Sequence, residues 1–300
     1  MTGPRLGEAR RACIDIGSNT TRLLVATCEP NGVREVHQQR VFTRIGHGLR
    51  DDASIPAAKV EEVASVVSAQ VALARELGVH TAEIHGVATA AIRRAENGAE
   101  LLSAIESACG LAVRVLSPEE EARLAFVGAA GTLGHVPCGP LGVVDVGGGS
   151  SELVVGTAPD SVGWWASFAL GSGDLAEDFL RSDPPAADEL SAARAYVAEA
   201  VVGVAPPTPV EAVAVGGSAA SLSRLVGPRL DAASLERALA LLTSRRASEI
   251  ARRFAIDRDR VRLLPAGLVI LEAVSRVFGV GLSIGRGGIR EGVLLEAAAR

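Results

Sequence analysis

Lysine is nearly missing. Lys59 is the only one in 300 residues, and it lies in no GxxxxGK(S/T) frame, so a Walker A phosphate loop is excluded and lysine-dependent cofactor chemistry is a poor expectation. There is no HExxH frame either. The four cysteines, Cys13, Cys28, Cys109 and Cys138, are scattered without CxxC spacing, which argues against a zinc ribbon, a redox pair or a disulfide framework. No apolar run reaches the roughly 18 to 20 residues of a membrane span. The N-terminus carries Arg5, Glu8, Arg10 and Arg11 without a secretory apolar region, so a cytoplasmic protein with no membrane partner is expected. The net charge of −5 argues against a nucleic-acid partner, since a basic footprint is the usual requirement.

What is present fits a large core. Hydrophobic residues make up 48% of the chain, and the length is comfortable for two domains. Any phosphate chemistry must then fall to backbone amides, hydroxyls, arginines and metal-bound carboxylates.

The most informative stretch is Val143-Val144-Asp145-Val146-Gly147-Gly148-Gly149-Ser150-Ser151-Glu152-Leu153-Val154-Val155. Two apolar runs around a glycine triplet read as strand, tight turn, strand. Glycines let a ligand approach main-chain N–H groups closely, which makes an anion nest. Ser150 and Ser151 add hydroxyl donors. Asp145 and Glu152 are acceptor-only when ionised, so beside such a nest they make most sense as holders of a cation such as Mg2+. A second copy lies 130 positions upstream, as Cys13-Ile14-Asp15-Ile16-Gly17-Ser18-Asn19-Thr20-Thr21-Arg22-Leu23-Leu24-Val25. Asp15 aligns with Asp145 and Gly17 with Gly147. Two similar hairpins point to two similar half-molecules facing one ligand.

Between and after these hairpins, strands alternate with helices, which indicates an α/β layer structure. Apolar spacing predicts helices from Pro56 to Leu77, from Glu100 to Ala108, over 188–202, near 234–255 and over 266–278. Gly46-His47-Gly48 breaks the strand that follows the first hairpin. Ser117-Pro118-Glu119-Glu120-Glu121 opens another helix with capping-box spacing and a proline at its first position. Glu121 shares a face with Leu124, Ala125 and Gly128, an apolar stripe, and a carboxylate there needs a partner or a job. Ala212 to Val215 reads as a strand running into Gly216-Gly217-Ser218, which serves equally as a packing turn or as a phosphate-receiving helix start. Trp164-Trp165 reads as core and edge packing.

These residues resemble the exopolyphosphatase and guanosine pentaphosphate phosphatase family of the actin, sugar kinase and Hsp70 superfamily. The resemblance is carried by Cys13 to Asn19, Ala88 to Asn97, Ser117 to Leu124, Val144 to Glu152 and Gly287-Gly288-Ile289-Arg290-Glu291-Gly292. It implies an α/β fold of two actin-like, ribonuclease H-like domains with a cleft between them. The expected division is 1–127, joined by a C-terminal helix over 288–300, and 128–287. It implies Glu121 as the general base for the water that attacks a terminal phosphate, Arg93 on the phosphate chain, and Asp145 and Glu152 on Mg2+. It also implies two phosphate loops, Asp15, Gly17, Ser18, Asn19 and Thr20 in one, Gly147, Gly148, Gly149, Ser150 and Ser151 in the other. Arg94 is the alternative to Arg93, and Arg290 has a plainer reading as the start of the last helix. The expected partners are inorganic polyphosphate, with short chains preferred, and guanosine pentaphosphate, in a homodimer. The competing functions are a kinase of the same superfamily and a non-catalytic sensor of guanosine polyphosphates or polyphosphate.

Overall fold

The computed structural model describes residues 9–29, 32–47, 49 and 53–299. Arg5, Glu8 and Gly48 of the sequence reading lie outside them. Two compact units divide the chain, residues 1–117 with Ile289–Arg300, and Pro118–Gly288.

In the first unit, β1 (Arg10–Ile16), β2 (Thr21–Glu29) and β3 (Gly32–Val41) form an antiparallel meander. Helix α1 (Ala57–Glu76) leads to β4 (Ile84–Ala88), which pairs parallel to β1. A short helix α2 (Ala90–Arg94), α3 (Gly98–Cys109) and β5 (Val113–Val115) complete the order β3-β2-β1-β4-β5. Period-two alternation sets the two faces. Ile14, Ile16, Leu23 and Val25 point into a core with Val63, Val67 and Val71 of α1 and Leu101 and Ile105 of α3. The opposite face carries Cys13, Asp15 and Arg22, and α11 (Ile289–Ala298) packs across β1, β2 and β3. Cys28 Sγ donates to the carbonyl of Leu294 at 3.4 Å.

The second unit opens with α4 (Pro118–Gly131) and the hairpin β6 (Leu141–Val146) and β7 (Ser151–Thr157), extended by β8 (Ser161–Phe168). Helices α5 (Ser172–Phe179) and α6 (Ala187–Ala200) precede β9 (Glu211–Val215), which lies parallel to β6. Then come α7 (Gly216–Val226), β10 (Arg229–Leu230), α8 (Ala232–Ser244), α9 (Ala247–Phe254), α10 (Arg258–Phe278) and β11 (Leu282–Ile284). The strand order is β10-β11-β9-β6-β7-β8. Read from β8, its first five strands repeat the plan of the first unit, a meander followed by parallel strands. The repeat extends to register. Asp15 pairs with Arg22 across β1 and β2, and Asp145 pairs with Glu152 across β6 and β7.

Two sequence expectations need correction. The division falls after Ser117 and not after residue 127. Ala122, Phe126 and Ala129 of α4 pack on Leu141, Val143, Val154, Val213 and Val215, so this helix covers the sheet of the second unit. Helical spacing reveals that a face is apolar but not which sheet it meets. The second correction concerns α10, expected over 266–278 from apolar spacing. It starts at Arg258 and runs through Pro265, with the Asp257 side chain accepting from the N–H groups of Asp259 and Arg260. Val261, Leu264, Leu268, Leu271 and Val274 are buried, and that burial offsets the roughly 3 kcal/mol cost of an interior proline. Among the described residues no helix is long and apolar enough to cross a membrane.

Candidate functional site

Each unit carries one glycine loop, and the two are built alike. In the first, Gly17 N–H donates to Thr20 O at 3.0 Å. In the second, Gly147 N–H donates to Ser150 O at 2.9 Å. In both, neighbouring segments engage the carbonyls, so N–H groups and hydroxyls are what the loop offers an anion.

The first loop is held by the turn after β3. Gly46 N–H donates to Ser18 O at 2.7 Å and Arg44 N–H to Asn19 O at 3.0 Å. Beneath it, Thr21 and Thr43 share a buried hydroxyl pair at 3.0 Å, and Gln70 from α1 donates to Thr21 O at 3.4 Å. Gly46 has a steric reason. A Cβ there would lie 2.9 Å from Ser18 Cβ and 3.3 Å from Ser18 O. Gly46→Ala is therefore expected to displace the loop and lower kcat/KM roughly 10- to 100-fold. Steady-state kinetics checks this, and a wild-type value would contradict the bracing role.

Asp15 lies under the same loop. Burial pushes its carboxyl up from the ordinary value, Arg22 and Arg290 pull it down, and Glu291 pushes it up. Its Oδ1 is buried and accepts no hydrogen bond among the described residues, as befits an acceptor kept for a ligand, water or ion. Thr89 caps α2 beside the end of β1, its N–H donating to Ile16 O at 3.4 Å. One turn on, Arg93 is half-buried and its Nη1 donates to Leu116 O at 2.6 Å. That bond orients the guanidinium within the first unit.

In the second unit the amides at the start of α5 seat on the glycine loop. Ser172 N–H and Oγ donate to Gly147 O at 2.9 and 3.1 Å, and the N–H groups of Gly173 and Asp174 donate to Gly148 O at 2.9 and 3.1 Å. Ser151 Oγ donates to Leu170 O at 2.5 Å. Ser150 and Ser151 are both buried.

Beside this loop three carboxylates gather. Glu121 is 2% exposed, Asp145 8% and Glu152 2%. Glu152 accepts from Ser167 Oγ at 2.9 Å. Burial pushes its carboxyl well above the ordinary value of 4.5, the charges of Glu121 and then Asp145 push it further, and the Ser167 and Ser150 hydroxyls pull it back. Folded protein thus holds this proton more tightly than the unfolded chain does. Across the interval from about 4.5 up to the raised value, Glu152's contribution to stability falls as pH rises. In chelator-treated protein, urea midpoints should show this loss, and Glu152→Gln should flatten it. An unchanged slope in Glu152→Gln would contradict the assignment.

The Gly216-Gly217-Ser218 turn adjoins the same carboxylates. Gly216 has φ +86°, and a Cβ there would lie 2.5 Å from Asp145 Oδ1. Gly217 lies beneath the buried guanidinium of Arg260, with Nη1 2.7 Å from the position of a Cβ. Ser218 Oγ donates to Ser172 Oγ at 3.3 Å, linking the turn to the seat of the glycine loop. Sequence reasoning missed Arg260, because it lies upstream of the helix expected over 266–278. The Asp257 cap was the signal that could have found it.

Among the described residues no three His, Cys, Asp or Glu groups converge as a ready metal cage. The donors nevertheless fit Mg2+, which is commonly bound through one or two carboxylates with water and substrate phosphates completing the shell. Asp145 and Glu152 are hard oxygen donors paired across β6 and β7, and a cation would relieve the repulsion that raises Glu152.

The family model described as Ppx/GppA phosphatase family matches residues 24–300. An uncharacterized protein of Streptomyces coelicolor is 30% identical over 305 residues, spanning 96% of this chain and 90% of that protein. Exopolyphosphatase 1 of Mycobacterium tuberculosis is 28% identical over 307 residues, spanning 96% of this chain and 88% of that protein. The crystal structure of the Aquifex aeolicus Ppx/GppA family member aligns with a TM-score of 0.80 at 28% identity, over 97% of this chain and 98% of that one.

Proposed function

The chain belongs to the Ppx/GppA phosphatase family, with two actin-like domains, and from that premise we propose that it is an exopolyphosphatase releasing orthophosphate from the ends of inorganic polyphosphate. The observation that carries the reading is the group of three buried carboxylates, Glu121, Asp145 and Glu152, beside a loop whose carbonyls are turned to the protein. The terminal phosphate of guanosine pentaphosphate presents the same anhydride bond and is proposed as a second substrate. Short polyphosphate chains are the proposed preference.

Phosphoryl transfer depends on positioning and charge neutralisation more than on covalent chemistry. The N–H groups of Ser18 to Thr20 and of Gly148 to Ser150, with the Ser18 and Thr20 hydroxyls, bind phosphate oxygens. Arg93, oriented by its bond to Leu116 O, balances charge on the transferred group. Glu121 takes the proton of the attacking water as its oxygen bonds to the terminal phosphorus. The bridging P–O bond breaks, and the shortened chain leaves with that bond's electron pair. Asp145 and Glu152 would hold Mg2+, which when bound supplies further charge neutralisation on the phosphate oxygens.

Hydrolysis in isotopically labelled water tests this route. One labelled oxygen per released orthophosphate, with chains shortening from their ends, is expected. Label-free phosphate transferred to a sugar, or tight binding without release, would overturn it in favour of a kinase or a sensor.

A further inference from the structure

Arg93 stands on a helix that cannot set its own geometry. α2 spans five residues, and so short a helix is unstable alone, because ordering its backbone costs more than its few hydrogen bonds return. Its placement must come from its two ends. The front end is tied to the sheet through Thr89, whose N–H donates to Ile16 O at 3.4 Å and whose carbonyl accepts from the N–H groups of Ile92 and Arg93 at 3.1 Å.

The back end is held by Asn97. This residue stands at the start of α3, where an asparagine ordinarily caps the helix with its own side chain, and here it makes no such bond. Instead Ile55 N–H donates to Asn97 Oδ1 at 2.7 Å, and Asn97 Nδ2 donates to Ile55 O at 3.0 Å. One side-chain amide thus pairs with both backbone groups of a residue 42 positions away. Two bonds lie alongside it, from Glu96 N–H to Ala53 O at 3.3 Å and from Ser54 Oγ to Glu96 Oε2 at 3.1 Å. Ile55 is 2% exposed and belongs to the same core as Ile92 of α2, so the anchor is itself fixed. The turn between the helices has no slack, since a Cβ at Gly98 would lie 2.5 Å from Ile92 O.

We propose that Asn97 is a positioning residue for Arg93: its paired amide fixes the exit of α2 and so aims the guanidinium at the transferred phosphate. The inference rests on the reading in which Arg93 balances charge on that group, and adds to it the residue that sets its direction. The bond to Leu116 O restrains the tip of the Arg93 side chain. The bonds to Ile55 restrain the backbone from which that side chain rises. A misplacement of about 1 Å at such a group costs up to roughly 100-fold in rate. With the Leu116 O bond still in place, a smaller loss follows when Asn97 alone is removed.

A double-mutant cycle on the full-length protein tests this, with kcat and KM for tripolyphosphate measured in Asn97→Ala, Arg93→Ala and the double variant. Asn97→Ala is expected to lower kcat about tenfold with KM within about threefold. In the Arg93→Ala background the same change should cost less than about twofold, because a residue that acts through Arg93 has nothing left to aim. Asn97→Asp keeps the acceptor for Ile55 N–H and should lose less than Asn97→Ala, which keeps the test open if the alanine variant folds poorly. Ile105→Val, which removes a methyl group from the same core, is the control for plain destabilisation and should leave kcat within about twofold. Equal losses from Asn97→Ala in both backgrounds, or a tenfold loss in Ile105→Val, would overturn the positioning role and leave Asn97 a staple of the fold. If Arg93→Ala turns over normally, or the wild-type protein releases no phosphate, the parent reading fails instead and takes the inference with it.

Discussion

Glu121→Gln is expected to lower kcat for phosphate release roughly 10²- to 10⁴-fold, the range for losing a general base, and to leave KM within about threefold. Glutamine keeps the size and an oxygen acceptor but has no basic carboxylate. Glu121 sits in the first turn of α4 at 2% exposure, and its charge raises Glu152. Removing that charge relieves repulsion between buried carboxylates, so the variant should melt no lower than wild type. This combination, lost turnover with held or raised stability, is what a structural glutamate would not give. Normal turnover in a folded Glu121→Gln protein would remove Glu121 from the mechanism.

The second large effect is expected at Gly171, which caps α5. A Cβ there would overlap Gly148 O, Gly148 C and Gly149 N, so Gly171→Ala must push the glycine loop off the start of α5. Four hydrogen bonds from Ser172, Gly173 and Asp174 to Gly147 O and Gly148 O depend on that approach. Backbone cannot give way as a flexible side chain does. We expect a fall in kcat/KM of about 100-fold or more and a loss of about 1 to 3 kcal/mol in stability. Gly163→Ala is the matching control, since its nearest neighbour, Val155 O, stands 3.7 Å away. Activity and urea midpoint measured together decide the matter. Near-normal values for Gly171→Ala would show that the loop tolerates displacement and does not set the phosphate geometry.

These sites differ in how far they could be read from the chain. The two hairpins were legible because period-two apolar runs around glycine specify strand, turn and strand through local chemistry alone. Once both hairpins are aligned, the pairing of Asp145 with Glu152 and of Asp15 with Arg22 follows from one register. Glu121 was legible as a buried carboxylate because helical spacing sets it among Leu124, Ala125 and Gly128. Its neighbours were not. That α4 belongs to the second sheet depends on contacts from Phe126 to strands far along the chain, which no local period encodes. Arg260 was hidden for a related reason, since tertiary burial of α10 outweighs the local penalty of Pro265. The bracing of Ser18 by Gly46 also joins segments far apart in sequence. There a glycine that reads as a mere break is fixed by the close approach of another backbone.

Orthophosphate release by the wild-type protein, followed with Mg2+ over polyphosphates of graded length, guanosine pentaphosphate, and ATP with sugars, tests the central claim most directly. The account predicts release from polyphosphate ends, faster on short chains than on chains of hundreds of units, with no sugar-dependent consumption of ATP. Tight binding of these anions without any phosphate release, or ATP consumption that requires a sugar, would contradict it.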